Sequence, residues 1–111
     1  MNWDTYFVYD EVNEHYYYKN KNEVTLPDNL PMPPTDDFRK LFAECTQLQD
    51  ITALSNWDIS NVKYMENMFY GCHKLQDITA LSDWNINKII DIRDMFYECH
   101  ADIDLAPLLG N

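Results

Sequence analysis

The feature that most constrains this chain is a 27-residue segment that occurs twice in direct succession. Residues 45–71 read CTQLQDITALSNWDISNVKYMENMFYG, and residues 72–98 read CHKLQDITALSDWNINKIIDIRDMFYE. Aligned without gaps, the two segments are identical at 14 of 27 positions. Tandem repeats of about 20–50 residues are typical of arrays in which each unit buries its apolar face against the next. The repeat therefore predicts an array, and it constrains the fold more than it constrains the function.

The apolar spacing inside one unit predicts two kinds of secondary structure. In residues 48–57 apolar side chains recur at every third position, which favours a short strand between bends. In residues 62–69 they follow helical spacing, after Ser60 and Asn61 as N-capping residues and before Gly71 as the residue that ends the helix. We therefore expect each unit to fold as strand, turn, helix and turn, and the chain to form a short α/β (α+β) solenoid.

The first 34 residues lie outside the repeat and are predicted to form an N-terminal β cap. Residues 5–9 and 15–19 are rich in aromatic and β-branched residues and are separated by a polar loop, a pattern typical of a β-hairpin; residues 23–26 could add a third strand. Residues 27–34 contain four of the five prolines and should form an extended connector. Because a solenoid needs an element that covers its open end, residues 1–34 are interpreted as that cap.

Partial units are expected on both sides of the two full ones, within a single folded domain. Thr35 followed by two acidic residues is typical of a helix N-terminus, so a helix is predicted over residues 35–45. Residues 99–111 begin a third pass of the repeat with a weaker apolar pattern. A final unit that turns polar is what a C-terminal cap requires.

The charge balance indicates the kind of partner to expect. The 111 residues include 19 acidic and 8 basic side chains, which gives a formal net charge of −11. Phosphates would be repelled, so direct binding to nucleic acid is disfavoured, whereas a protein with a basic surface would be attracted. No apolar run approaches the ~18–20 residues of a membrane span, and the N-terminus lacks the features of a signal peptide. A cytoplasmic location is expected, unless a leader has been removed.

The cysteines are interpreted as one repeat position used three times. Cys45, Cys72 and Cys99 fall 27 residues apart and are odd in number, which argues against a disulfide framework. The pairs formed with His73 and His100 suggest a zinc site, but the first unit has threonine in place of the histidine and the spacing is not that of a zinc knuckle. Buried cysteines beside exposed histidines are the simpler interpretation.

Sites for other chemistry are poorly supported by the sequence. Residues 83–94 imitate the oxygen spacing of a calcium loop, but Lys88 stands where glycine is needed and Asp94 replaces the longer glutamate. With only two glycines the chain has no phosphate-cradling loop. Ser55 and Ser82 are repeat positions without a dedicated base. We therefore expect no cofactor, no metal ion and no enzymatic activity.

The candidate binding residues are polar positions that recur between the apolar ones. Asp50, Asp77 and Asp104 occupy one repeat position, and two interpretations remain open: a structural ladder that binds turn amides, or an exposed acidic stripe that faces a basic partner. The aromatic run around Tyr16 and Tyr18 is either a strand with aromatics on both faces or a recognition patch. The full candidate set is Gln49, Asp50, Thr52, Gln76, Asp77, Thr79, Asp104, Tyr16 and Tyr18.

The repeat carries a specific signature, C-x-x-L-x-x-I-x-x-L-S-x-W-D-I-S-N-V-x-x-M-x-x-M-F-x-x-C, from Cys45 to Cys72. It closely resembles the BspA-like leucine-rich repeats of the bacterial surface-protein and mycoplasma type, and the resemblance covers residues 35–109. It implies a right-handed solenoid of strands and helices that serves in adhesion or protein binding. No catalytic residues accompany the resemblance.

Two functions agree with these features. The first is a non-enzymatic interaction module, a small acidic leucine-rich-repeat protein that binds a partner protein through its strand face. The second is an intracellular acidic inhibitor that mimics nucleic acid and blocks a basic nucleic-acid-binding enzyme, for example a phage-borne inhibitor of a bacterial defence nuclease. The open C-terminal end and the N-terminal hairpin could both support self-association.

Overall fold

The structure is a computed structural model that describes residues 2–110. Its regular elements are the strands β1 (Phe7–Asp10) and β2 (His15–Tyr18) and the one-turn helix α1 (Ala106–Leu109). Three short 3-10 helices complete them: Trp3–Thr5, Thr52–Asn56 and Thr79–Leu81. The rest of the described chain consists of turns, bends, irregular segments and isolated β-bridges.

The predicted N-terminal hairpin is confirmed. Strands β1 and β2 pair antiparallel, from Phe7 opposite Tyr18 to Asp10 opposite His15, and form the one two-stranded sheet of the described chain. The Asp10 carboxylate fixes the loop, because its Oδ1 accepts hydrogen bonds from the amides of Val12 (3.0 Å) and Asn13 (3.2 Å). The third strand predicted over 23–26 does not form: this segment contributes a single parallel bridge, between Thr25 and Asp50.

The predicted α/β solenoid of strand–turn–helix units is wrong, and so is the description of the chain as a leucine-rich-repeat protein. Residues 35–98 contain neither an α-helix nor a strand beyond isolated bridges, so the helix predicted over 35–45 is absent and there is no strand face. The molecule measures 36 × 30 × 26 Å, with a Cα radius of gyration of 12.8 Å. That radius is close to the ~13 Å of a compact globular domain of this length.

The helices fail to form because residues with positive φ interrupt each segment. Lys40 (φ 59°) and Glu44 (φ 63°) adopt the left-handed conformation, and Leu41 N–H bonds the carbonyl of Phe38, three residues back rather than four. The same positions have positive φ one and two repeats later, at Asn67, Gly71, Asp94 and Glu98. A left-handed residue ends an α-helix. Three- and four-residue apolar spacing therefore arises here from consecutive turns that point their apolar side chains inward.

Equivalent segments of the repeat lie side by side and are joined by main-chain hydrogen bonds. Amides of residues 38–44 donate to carbonyls of residues 64–70, and amides of residues 65–71 donate to carbonyls of residues 91–97. Phe42 and Phe69 stack with ring centroids 5.6 Å apart and planes 7° apart, and Phe69 and Phe96 repeat the arrangement at 5.5 Å and 4°. The sequence repeat is thus used for contacts inside one compact domain.

One core runs through this domain, and the repeated apolar positions supply most of it. Leu48, Leu54, Leu75 and Leu81 have no exposed surface, and Ile51 is 1% exposed. The fully buried aromatic residues of the first two copies join the same cluster, together with the hairpin residues Phe7 and Tyr18. The predicted core positions of the first two copies are therefore buried, although the secondary structure around them is different and Ile92 of the third copy is 36% exposed.

The N-terminal region covers the first copy of the repeat. The indole Nε1 of Trp84 donates to the carbonyl of Leu54 at 3.1 Å, whereas that of Trp57, one repeat earlier, donates to the carbonyl of Leu30 at 2.7 Å. The proline-rich connector thus supplies the acceptor that an earlier copy would supply. Strand β2 adds to the cover, because Tyr18 N–H donates to the carbonyl of Leu41 at 2.8 Å.

The segment predicted as a C-terminal capping unit, residues 99–111, contains helix α1. Pro107 lies in its first turn and Gly110, at φ 75°, follows its last residue. Leu108 contributes to the core, with 7% of its surface exposed. The outermost residues of the predicted regions 1–34 and 99–111, Met1 and Asn111, lie outside the described residues.

Leu54→Ala tests the shared core. The side chain of Leu54 is fully buried, so its truncation should lower the free energy of unfolding by about 2–5 kcal/mol, measured by urea denaturation. The neighbouring exposed residue provides the control: Ser55→Ala should stay within about 0.5 kcal/mol of wild type. Wild-type stability of Leu54→Ala would contradict the arrangement of the core.

Candidate functional site

The repeated aspartates form the turn hydrogen bonds that one of the two sequence interpretations expects, and they remain exposed. Asp50, Asp77 and Asp104 are all exposed, and the Oδ1 atom of each accepts a hydrogen bond from the amide two residues ahead. These bonds measure 2.9 Å to Thr52, 3.0 Å to Thr79 and 3.0 Å to Ala106. Each carboxylate therefore fixes a turn with one oxygen, and its orientation is set while the group remains at the surface.

Two of these aspartates line a common depression with the other predicted polar residues. A cavity of about 220 Å³ is lined by Gln49, Asp50, Ile51, Thr52, Asp77, Thr79 and Ala80. A second cavity of about 450 Å³ lies against it and is lined by Gln49, Lys74, Gln76, Asp77 and His100. We call the surface formed by Gln49, Asp50, Thr52, Gln76, Asp77 and Thr79 the acidic groove. Asp104 lines neither cavity.

Local hydrogen bonds keep the groove carboxyls ionised. Hydrogen bonds from Thr52 lower the pKa of Asp50, and hydrogen bonds from the amide and the hydroxyl of Thr79 lower that of Asp77. The negative charge of Asp77 raises the pKa of Asp50 by a smaller amount, because like charges disfavour ionisation. At neutral pH the groove therefore presents two fixed negative charges.

Sequence reasoning missed two residues that border the groove. Lys74 and His100 line the second cavity and bring nitrogen donors to an otherwise acidic surface. Lys74 Nζ donates to Gln47 Oε1 at 2.8 Å, one repeat earlier. Gln47 and Lys74 are 27 residues apart, so the repeat itself indicates that they lie side by side. Their residue types differ, and this contact is therefore easily overlooked in the sequence.

The two tyrosines of the candidate set lie in different environments. Tyr18 is 2% exposed, and its hydroxyl donates to Glu23 Oε1 at 3.1 Å; burial raises the pKa of this phenol. Its side chain belongs to the core and is not available to a partner. Tyr16 is half-buried between Trp3 and Tyr9, with ring centroids 5.3 and 5.0 Å away. The structure brings neither tyrosine into the acidic groove.

The cysteines are free and hold the copies together. Cys72 Sγ donates to the carbonyl of Phe42 at 3.1 Å, and Cys99 Sγ donates to that of Phe69 at 3.2 Å. Burial raises the pKa of Cys45 to about 11, and that of Cys99 also to about 11. Thiols that stay protonated are poor nucleophiles and poor metal ligands, so these groups serve the packing.

Residues considered for metal binding are engaged elsewhere. His73 Nδ1 lies 2.9 Å from the carbonyl of Glu98, and His100 Nδ1 accepts a bond from the amide of Asp102 at 3.0 Å. In the calcium-like segment, Asn85 Oδ1 accepts from Asn87 N–H at 3.0 Å. Within residues 2–110, no group of three or more histidine, cysteine, aspartate or glutamate side chains is placed to hold a metal ion.

None of the helices in the described part of the chain has the length and apolar character that crossing a bilayer requires.

Comparison with known families places this chain. Residues 10–104 match the family described as "Mycoplasma protein of unknown function, DUF285". The match covers most of the sequence, and the chain belongs to this family. No curated protein and no solved structure matches the chain.

Asp77→Ala tests the structural part of the repeated aspartates. It removes the acceptor for the amide and hydroxyl of Thr79 and should lower the free energy of unfolding by about 1 kcal/mol at neutral pH. Asp77→Asn keeps an acceptor oxygen and should stay closer to wild type. Asp83→Ala is the control, because Asp83 is exposed and no described residue donates a hydrogen bond to it.

The stability difference between wild type and Asp77→Ala should depend on pH in a direction that the pKa shift of Asp77 determines. The folded-state pKa of Asp77 lies below the ordinary value of 3.8, so its contribution is fully present above that value and is lost as the pH falls through the folded pKa. The stability difference between wild type and Asp77→Ala should therefore shrink as urea denaturation is repeated below about pH 4. A difference that grows toward acid pH would contradict the hydrogen-bonded carboxylate.

Proposed function

We propose that this protein is a non-enzymatic interaction domain that binds the basic surface of a partner protein through the acidic groove. The observation that carries the proposal is the position of Asp50 and Asp77. Both line one depression, and both are held by hydrogen bonds to their own turns. The groove replaces the strand face that the sequence predicts, since residues 45–98 contain no strand beyond isolated bridges.

The hydrogen-bonded turns reduce the cost of binding. A carboxylate whose orientation is already fixed loses less side-chain freedom when a lysine or arginine of the partner approaches. The polar neighbours Gln49 and Gln76 offer amide groups for further hydrogen bonds at the rim of the same surface. Charge complementarity of this kind contributes mostly to association rate and to specificity.

The net charge of −11 favours a second candidate function. In this alternative, the protein is a cytoplasmic inhibitor that occupies the nucleic-acid groove of a basic enzyme. The acidic surface would stand in for phosphates, and nucleic acid itself would not bind. A mimic of this kind would depend on the total charge more than on any two carboxylates.

We also propose a relationship between this family and a wider group of bacterial repeat proteins. The signature from Cys45 to Cys72 supports a relationship between this family and the BspA-type surface repeats. Adhesion or protein binding would then be a shared role of the repeat sequence. The compact fold described above is the form in which this chain would present it.

The groove proposal predicts a specific loss of affinity for a basic probe. A fluorescein-labelled peptide of mixed lysine and arginine should bind the wild type, measured by fluorescence anisotropy. Replacing both Asp50 and Asp77 with Asn should weaken binding by about tenfold, since each exposed charge pair contributes up to about 1 kcal/mol. Both substitutions keep the acceptor oxygen for the turn amide.

Asp58→Asn is the matched control for these substitutions. Asp58 is also exposed, its Oδ1 accepts from Ser60 N–H at 3.0 Å, and it lines neither groove cavity. Its replacement should change affinity by less than about twofold. A different result is that Asp58→Asn loses as much affinity per removed charge as the double variant, with a steep fall in wild-type affinity between about 50 and 200 mM salt. That result would reject the groove proposal and favour the charge mimic. No loss in the double variant would reject the groove outright.

A further inference from the structure

Within residues 2–110, the edge formed by residues 92–98 presents main-chain N–H groups without acceptors. In the first copy of the repeat, donor and acceptor residues pair as Phe38–Tyr64, Lys40–Glu66, Phe42–Met68 and Glu44–Tyr70. In the second copy they pair as Met65–Asp91, Asn67–Arg93, Phe69–Met95 and Gly71–Tyr97. The equivalent amides of the third copy are those of Ile92, Asp94, Phe96 and Glu98, and no residue within 2–110 accepts from them.

Apolar surface accompanies these free amides. A cavity of about 280 Å³ at this edge is lined by Ile92, Asp94, Met95, Phe96, Tyr97, Ile103, Leu105 and Leu109. Tyr97 is 56% exposed and Leu109 is 53% exposed. Phe96 and Tyr97 are also the last rings of two rows, since each stacks on the equivalent ring of the preceding copy at 5.5 and 5.7 Å.

We infer that this 92–98 edge binds an extended segment of a partner polypeptide. The segment would offer main-chain carbonyls at every second residue and an aromatic side chain that lies against Phe96. The two covered edges of the same molecule define this chemistry. At both of them, four alternate carbonyls accept the four amides, and a phenylalanine stacks on the phenylalanine beneath it.

A second copy of this chain does not offer the required acceptors. Two 92–98 edges that meet face to face would place donors against donors. The opposite side of the repeat, where carbonyls point outward, is already covered by the N-terminal region. There, the carbonyl of Leu41 accepts from Tyr18 N–H at 2.8 Å, and that of Ala43 accepts from Lys21 Nζ at 2.8 Å.

A free anion is also a poor occupant of this edge. Asp94 and Glu98 carry exposed carboxyl groups on the same residues whose amides are free, whereas Asp91 at the start of the edge is paired with Arg93, with Nη2 and Oδ2 2.7 Å apart. These charges repel anions, whereas neutral carbonyls can accept the hydrogen bonds without that penalty. The same carboxylates would attract basic side chains that flank the partner's carbonyl-bearing segment.

The edge is separate from the acidic groove and does not depend on its proposed role. The groove residues Gln49, Asp50, Thr52, Gln76, Asp77 and Thr79 do not line the cavity at residues 92–98. Partner recognition at the edge is led by the main chain, as in other cases where an extended peptide adds to an open edge. The two surfaces can therefore be tested independently.

A peptide with the sequence of residues 63–71, KYMENMFYG, is the direct probe, because this segment supplies the carbonyls and the ring that cover the first copy. It should be titrated to millimolar concentrations into the labelled protein and followed by amide NMR. We expect saturable shifts at the amides of Ile92, Asp94, Phe96 and Glu98. A peptide of the same composition in scrambled order should not produce them.

Two edge variants and one remote variant sharpen the test. Ile92→Asp and Leu109→Asp place a charge in the edge cavity and should each weaken peptide binding by about tenfold or more. Val12→Asp makes the same kind of change at a residue that is 89% exposed in the hairpin loop, and affinity should not change. Two edge positions are used because one of the variants can fail to fold. A dispersed NMR spectrum identifies a folded variant, and one folded variant is sufficient for the test.

Four results would overturn the inference. The first is the absence of saturable shifts at the four amides, and the second is an equal response to the scrambled peptide. The third is a dependence of these amide shifts on protein concentration without peptide, removed by Leu109→Asp, which would assign the edge to a second copy of the chain. Loss of binding in Asp50→Asn or Asp77→Asn would instead place the peptide in the acidic groove, and would also overturn it.

Discussion

The structure depends on main-chain hydrogen bonds between equivalent segments of the repeat. Amides of one segment donate to carbonyls of the next, at residues 38–44 with 64–70 and at residues 65–71 with 91–97. Left-handed residues such as Lys40 and Glu44 interrupt these segments, which form turns in place of an α-helix. The bonds satisfy polar groups that turns would otherwise leave open, and the apolar side chains can then be buried.

This constraint explains why the two ends of the repeat are not alike. The carbonyl side of the first copy is covered by strand β2 and by the connector that brings Leu30 to Trp57. Among the described residues, the turn region and helix α1 come after the amide side of the last copy, residues 92–98, and leave its apolar cavity accessible. An edge of this kind is a ready-made surface for another polypeptide.

The residues that pack could be predicted from the sequence, but the local backbone could not. Aromatic and β-branched runs identified the hairpin, and the 27-residue spacing identified buried positions such as Leu54 and Leu81. The predictions of a helix over 35–45 and of a helix in each repeat unit were wrong, because the apolar spacing of consecutive turns resembles that of a helix. Gly71, Asn67 and Asp94 are residue types that favour a left-handed conformation, whereas lysine and glutamate occupy the equivalent positions 40, 44 and 98 without any such signal.

The candidate site shows the same division. Repetition of Asp50 and Asp77 at one position was enough to place both on one surface, and the structure adds that each also holds its own turn. The hydrogen bonds to turn amides are therefore observed, whereas binding of a basic partner by the same carboxylates stays a prediction. Tyr18 could not be assigned in this way, because a strand of consecutive tyrosines does not reveal which ring faces the core. The hairpin register, with Tyr18 opposite Phe7, decides it.

Amide hydrogen exchange measured residue by residue tests this account most directly. The amides of Phe42, Met65 and Phe69, which donate between segments and belong to buried residues, should exchange at rates set by unfolding of the whole domain. Those of Ile92, Asp94 and Glu98 should exchange much faster, because no described residue accepts from them. Fast exchange at Met65 and Phe69, equal to that of the exposed hairpin loop, would contradict the hydrogen-bonded packing on which the structure depends.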